Sequence, residues 1–183
     1  MEIGIKRSAL LGIPVVSEND VSIIGQFEDI ILMPGKRKIG GILFTTLGWK
    51  NNKRFVPLKN IISFGKHAIV INSGEDLGNK AEKYSFSGSW LLGSEIVDIP
   101  LIRDDGEQLG RISDIILDNE GKNILGYEVS KGFFDDLMDG RVFLSYDVKH
   151  MINDHAFVIM ASSDAYLQPY NMGIKNLFYS KIE

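Results

Sequence analysis

Four phrases in the first half of this chain return, in the same order, in the second. Ser8-Ala9-Leu10-Leu11-Gly12 is answered by Ser89-Trp90-Leu91-Leu92-Gly93, and Gly25-Gln26-Phe27-Glu28-Asp29-Ile30-Ile31-Leu32 by Gly110-Arg111-Ile112-Ser113-Asp114-Ile115-Ile116-Leu117. Ile39-Gly40-Gly41-Ile42 returns as Ile124-Leu125-Gly126-Tyr127, and His67-Ala68-Ile69-Val70-Ile71 as His155-Ala156-Phe157-Val158-Ile159. The matched phrases lie 81 to 88 residues apart. So long a period marks a duplicated domain, because solenoid repeats run about 20 to 50 residues. The expected organisation is a first domain over 1–75, a linker over 76–87, a second domain over 88–163 and a tail over 164–183. A domain of this size buries only roughly 60% of the surface its unfolded chain exposes. The two copies are therefore expected to lean on each other or on a second chain, and a homo-oligomer is compatible with the sequence.

Within each copy the pattern is of short strands. Ile30-Ile31-Leu32, Ile39 to Thr46, Arg54-Phe55-Val56-Pro57-Leu58 and Ala68-Ile69-Val70-Ile71 are β-branched or aromatic runs bounded by Gly, Pro and Asn. In the second copy Asp104-Asp105-Gly106-Glu107 and Asn119-Glu120-Gly121-Lys122 supply the turns. The fold class expected is all-β, as two small barrels or sandwiches joined by the polar segment Ser73 to Lys83. In the tail, Ile174, Leu177, Phe178 and Ile182 fall near one helical face, which suggests a short helix docked on a barrel.

Composition narrows the function classes. The chain has no cysteine, which removes disulfides, thiolate catalysis and cysteine-ligated metal and fits a reducing compartment. No apolar run suits a signal peptide or a membrane span, so a cytoplasmic protein is expected. The net charge of −4 hides an asymmetry. Residues 1–80 carry 11 Lys/Arg against 7 Asp/Glu, and residues 81–183 carry 9 against 17. Generic DNA binding is disfavoured, while the basic first half could still face phosphate or an acidic protein.

These phrases resemble the PRC-barrel family, which includes the H subunit of the photosynthetic reaction centre and the C-terminal domain of the ribosome maturation factor RimM. The resemblance rests on Leu10-Leu11-Gly12 and Leu91-Leu92-Gly93, on Gly25 to Asp29 and Gly110 to Asp114, and on Arg54-Phe55-Val56-Pro57-Leu58, loosely matched by Arg141-Val142-Phe143-Leu144. The closing strands Ala68 to Ile71 and Ala156 to Ile159 complete it. It implies two tandem β-barrels of the kind found in bacterial two-barrel proteins, acting as interaction or assembly modules without family-wide catalytic residues. The distance from Leu-Leu-Gly to the next matched Gly differs between the copies, which suggests an inserted turn or bulge near 95–98.

The remaining candidates are weighed by chemistry. Asp29 and Asp114 recur at what reads as a turn–strand junction, where a carboxylate accepts backbone N–H groups; a structural role is expected. His67 and His155 recur without converging ligands, and Asp147, His150, Asp154 and His155 read as a solvated turn, so no metal site is expected. Gly35-Lys36-Arg37-Lys38-Ile39-Gly40-Gly41 lacks the Gly-Lys-Ser/Thr of a phosphate loop and reads as a basic hairpin tip. Lys36, Arg37 and Lys38, with Lys50, Lys53 and Arg54, form a candidate basic patch, flanked by Phe44, Trp49 and Phe55 as stacking faces. Partner contact is expected from Phe133, Phe134, Leu137 and Met138, in an apolar and acidic loop, and from Trp49. No catalytic motif or cofactor-binding pattern appears. The functional expectation is a non-enzymatic protein-interaction or assembly module acting through barrel loops. The alternative is an RNA- or ribosome-associated factor using the basic first domain, and the least favoured reading is an enzyme with a cleft between barrels.

Overall fold

The computed structural model describes residues 4–48, 52–72, 90–132, 140–152, 155–160 and 167–169. The first copy runs β1 (Ile5–Lys6), the one-turn helix α1 (Arg7–Leu10), β2 (Pro14–Ser17), β3 (Ile23–Leu32), β4 (Gly41–Thr46), β5 (Lys53–Pro57), β6 (Ile61–Phe64) and β7 (Ile69–Ile71). The second runs β8 (Leu91–Leu92), α2 (Gly93–Ile96), β9 (Pro100–Arg103), β10 (Gln108–Leu117), β11 (Ile124–Ser130), β12 (Val142–Ser145), β13 (His150–Ile152) and β14 (Phe157–Ile159). The tail adds β15 (Leu167–Pro169), which pairs antiparallel with β12. The expected docking of the tail is thus made at this point by a strand; the residues read as a helix, Ile174 to Ile182, lie outside the described residues.

The two sheets share one strand order. In the first it is β5-β4-β3-β2-β7-β6, and in the second β12-β11-β10-β9-β14-β13 with β15 added beyond β12. In both, neighbours are antiparallel except for one parallel pair, β2 with β7 and β9 with β14. The chain is all-β, in two tandem domains. By contacts it divides into one unit of residues 1–94 with 117–124 and a second of 95–116 with 125–183. The first unit therefore takes β8, the start of α2 and the β10–β11 turn from the second sequence copy.

The structure corrects the sequence register at the start of each copy. β1-α1-β2 and β8-α2-β9 are counterparts, and Pro14 opens β2 as Pro100 opens β9. Arg7, Ser8 and Leu10 thus correspond to Gly93, Ser94 and Ile96. Leu10-Leu11-Gly12 ends a helix, whereas Leu91-Leu92-Gly93 leads into one, so the shared phrase is coincidental. The insertion inferred near 95–98 disappears with it, since those residues complete α2 and the turn after it. Likewise Phe55 faces Leu43 and Phe143 faces Glu128 across equivalent strand pairs, which makes Arg141 the counterpart of Lys53, not of Arg54.

In the first unit Val15, Phe27, Ile30, Ile42, Phe44, Val56, Ile69 and Ile71 are buried. In the second, Leu101, Ile112, Ile115, Tyr127, Val129, Leu144, Phe157 and Ile159 are buried. Each fully buried aliphatic or aromatic side chain contributes roughly 1.5–3 kcal/mol. The long strands β3 and β10 begin with exposed and half-buried positions but end in four buried residues in a row, Asp29 to Leu32 and Asp114 to Leu117. A strand with one wet face alternates; continuous burial means both faces are covered.

Candidate interaction surfaces

The second cover on β3 explains the repeated aspartate. In the β3–β4 ladder Phe27 faces Phe44 and Asp29 faces Leu43, with Glu28 left over as a bulge. An extra residue reverses the alternation beyond it. Asp29 is thereby moved off the face of Phe27 and onto the face lined by Leu43, Ile31 and Phe55, a cluster covered by Trp90 and Leu92. There Asp29 Oδ1 accepts the Ile30 N–H at 2.8 Å and the Arg7 Nε–H at 2.5 Å, and Oδ2 accepts the Ser94 N–H at 2.9 Å. Arg7 and Asp29 are both buried, so the ion pair and its added N–H bonds offset the desolvation of two charges. β8 runs antiparallel along the end of β3, Leu92 facing Ile31 and Leu91 facing Leu32, with the Trp90 ring tilted on Phe55 at 6.0 Å between centroids. A side chain at Gly93 would stand 2.6 Å from Arg7 Nε and 2.7 Å from Asp29 Oδ1, so the approach requires glycine.

Asp114 is also buried, and its Oδ1 accepts the Ile115 N–H at 2.8 Å, repeating the Asp29–Ile30 bond. The structural role expected of both aspartates stands, but in the middle of ten-residue strands instead of at a turn–strand junction. A third carboxylate was not legible in the sequence. Glu128, wholly buried on β11, accepts from Ser113 Oγ at 3.1 Å and from Arg141 Nη1, whose side chain reaches solvent.

The histidines separate. His67 and His155 are exposed. His150, read from sequence as part of a solvated turn, opens β13 and is half-buried among aromatic rings. It stacks on Phe157 at 4.8 Å between centroids and meets the edges of Tyr146 at 5.1 Å and Tyr127 at 5.8 Å. Its Nδ1 lies 2.5 Å from the Val148 carbonyl oxygen, the geometry of an Nδ1–H donor. Burial holds its pKa below the ordinary histidine value, partly opposed by the Val148 hydrogen bond. Burial likewise pushes the Tyr127 phenol far up. Asp147 is exposed, and Asp154 lies outside the described residues. Among the described residues no three His, Asp or Glu side chains group as metal ligands.

The basic residues do not converge. Lys36, Arg37 and Lys38 are exposed in the loop ahead of β4, where the Ile39 N–H donates to the Lys122 carbonyl and the Ile124 N–H to that of Arg37. Lys53 and Arg54 face Thr45 and Phe44, four and three residues along that strand from Gly41, or about 10–14 Å from its start. Lys53 is paired with Glu28, and Arg54 is half-buried. Of the candidate stacking rings, Phe44 and Phe55 are buried in the core. Trp49 and Lys50, and the loop residues Phe133, Phe134, Leu137 and Met138, lie outside the described residues.

The structure also assembles a surface that sequence reading missed. Val21, Ile23 and Leu47 are 83%, 55% and 58% exposed. The Leu47 N–H donates to the Ile24 carbonyl at 3.2 Å, which sets the end of β4 beside the start of β3. Val21 holds φ at +52°, a left-handed conformation costly for a β-branched residue. Exposed apolar side chains are common singly; Ile23 and Leu47 at one end of two paired strands, with a strained Val21 two residues before Ile23, are less so. The only hint in the sequence was the proximity of Leu47 to Trp49.

Among the described residues no helix is long and apolar enough to cross a membrane. No curated protein matches the chain closely enough to count as a relative. A family model described as the PRC-barrel domain matches it twice, over residues 2–78 and 91–165.

Proposed function

The chain belongs to the PRC-barrel family, and from that premise we propose that it is a non-enzymatic, cytoplasmic interaction module that binds a protein partner through loops at one end of its first unit. Family membership supports a module of the general non-catalytic, protein-interaction kind. The observation that carries the finer reading is that Val21, Ile23 and Leu47 are exposed, and that the Leu47 N–H donates to the Ile24 carbonyl, which sets Leu47, two residues before Trp49 in sequence, beside the start of β3. Backbone strain at Val21 fits a contact site, because strained residues of this kind cost about 1–3 kcal/mol and concentrate where function retains them. The loop of Phe133, Phe134, Leu137 and Met138 remains a second proposed contact on grounds of composition. RNA binding draws less support, since Lys53 is paired with Glu28 and two of the candidate stacking rings, Phe44 and Phe55, are buried.

The test is capture from native cell extract by the tagged full chain and by the Val21→Asp/Leu47→Asp variant. Both positions are exposed, so unfolding stability should change by less than about 1 kcal/mol while the captured partner is lost. Recovery of the same partner at the same yield by the variant removes this surface from consideration.

A further inference from the structure

We infer that the segment Trp90–Ser94 is a built-in ligand of the first unit, recognised as an extended peptide by a slot that does not depend on the covalent link to residues 73–89, and that a second copy of this chain can supply the same segment. Four observations converge. The segment adds a two-residue strand to β3, with Leu92 on Ile31 and Leu91 on Leu32, which is peptide recognition by strand addition. Trp90 and Leu92 fill the apolar floor of Ile31, Leu43 and Phe55. Gly93 passes over the Arg7–Asp29 pair where no side chain fits. The Ser94 N–H then closes the buried carboxylate at Asp29 Oδ2, 2.9 Å away. The slot therefore reads a hydrophobic pair, a mandatory glycine and a backbone donor in sequence.

The segment completes the enclosure of the site. Without the segment, two charges buried to within 8% and 3% of full enclosure would lose one side of their cover, and Asp29 Oδ2 would lose its backbone donor. The bulge at Glu28 turns Asp29 to the face that this segment covers. In the intact chain the linker keeps the segment at a high effective concentration, so its own slot wins over a second copy. Cutting the linker equalises the two, and segments from other copies then compete.

The experiment places a Gly/Ser-flanked protease cassette between Asn79 and Lys80 of the full chain, verifies the cut by mass, and measures fragment association at micromolar concentration. The fragments are expected to remain a 1:1 complex, and nicked proteins bearing two different tags should exchange into hybrids on mixing. Trp90→Ala/Leu92→Ala and, separately, Ser94→Pro, which removes the N–H donated to Asp29 and sets a proline ring carbon against that carboxylate, should each weaken fragment association on the order of tenfold or more. Fragments that separate at once overturn the inference. So does a nicked complex that neither variant weakens, because other contacts of residues 117–124 would then be holding it. Failure to form hybrids overturns capture from a second copy.

Discussion

Two buried or half-buried titratable side chains set the sharpest expectations at the scale of the residue. Asp29 satisfies three N–H donors in the interior, one of them charged. Asp29→Ala leaves the Arg7 guanidinium enclosed without its counter-charge, and loss of about 3–5 kcal/mol in denaturant unfolding is expected. His150 behaves oppositely, as a base whose folded-state pKa lies below the ordinary value because its ring is packed against Phe157, Tyr127 and Tyr146. The unfolded chain then binds the proton more readily than the folded one. His150 thus favours the folded state above the unfolded pKa of about 6.5, and that advantage falls away as pH drops through this value toward the lowered folded pKa. Melting temperatures followed from pH 8 down to pH 5 should show a decline that His150→Gln flattens; an unchanged slope would show that other groups carry it.

At the level of single elements, paired glycines mark where strands approach too closely for a side chain. A Cβ on Gly41 of β4 would strike the Val56 carbonyl and come within 2.8 Å of the Phe55 ring. On Gly126 of β11 it would strike the Leu144 carbonyl and come within 2.6 Å of the Phe143 ring. Both glycines lie beneath the aromatic of the neighbouring strand, and the same arrangement in both sheets is why Gly41 and Gly126 were visible as a repeated phrase. Gly126→Ala should cost roughly 1–3 kcal/mol, with strand displacement visible as lost amide protection along β11 and β12. The bulge at Glu28 is the contrasting case. Nothing in Gln26-Phe27-Glu28-Asp29 announces it, because a one-residue slip depends on which neighbours need covering, not on the polarity of the residues that slip.

For the molecule as a whole, the boundary of the sequence repeat is not the boundary of the folded unit. The first unit includes residues 90–94 and 117–124, and the Ile39 N–H, the Ile124 N–H and the ring of Phe64 against Gly121 tie the latter stretch to it. A chain ending at Lys80 would lack both pieces and expose Ile31, Leu43 and Phe55. It is expected to unfold without a sharp transition and to bind a hydrophobic dye, whereas the full chain gives a cooperative transition; a sharp, dye-silent melt of the shortened chain would contradict this.

Several strand-forming runs, the duplication and the family were legible because hydrophobic runs, turn residues and the phrases around Gly41, Gly126, Asp29 and Asp114 are local signals that survive in linear order. The counterpart of Arg7 was not legible. Leu-Leu-Gly recurs by chance at both starts, and only backbone geometry shows that Gly93 stands where Arg7 does. The burial of His150, the enclosure of Glu128 and the placing of Leu47 beside Ile24 were equally beyond reach, because each depends on segments distant along the chain. Sequence marked the main hydrophobic strands of the first copy but not β2 or β6. Tertiary structure decided which faces were covered and by whom, since covering a face is a property of two segments and is written in neither one alone.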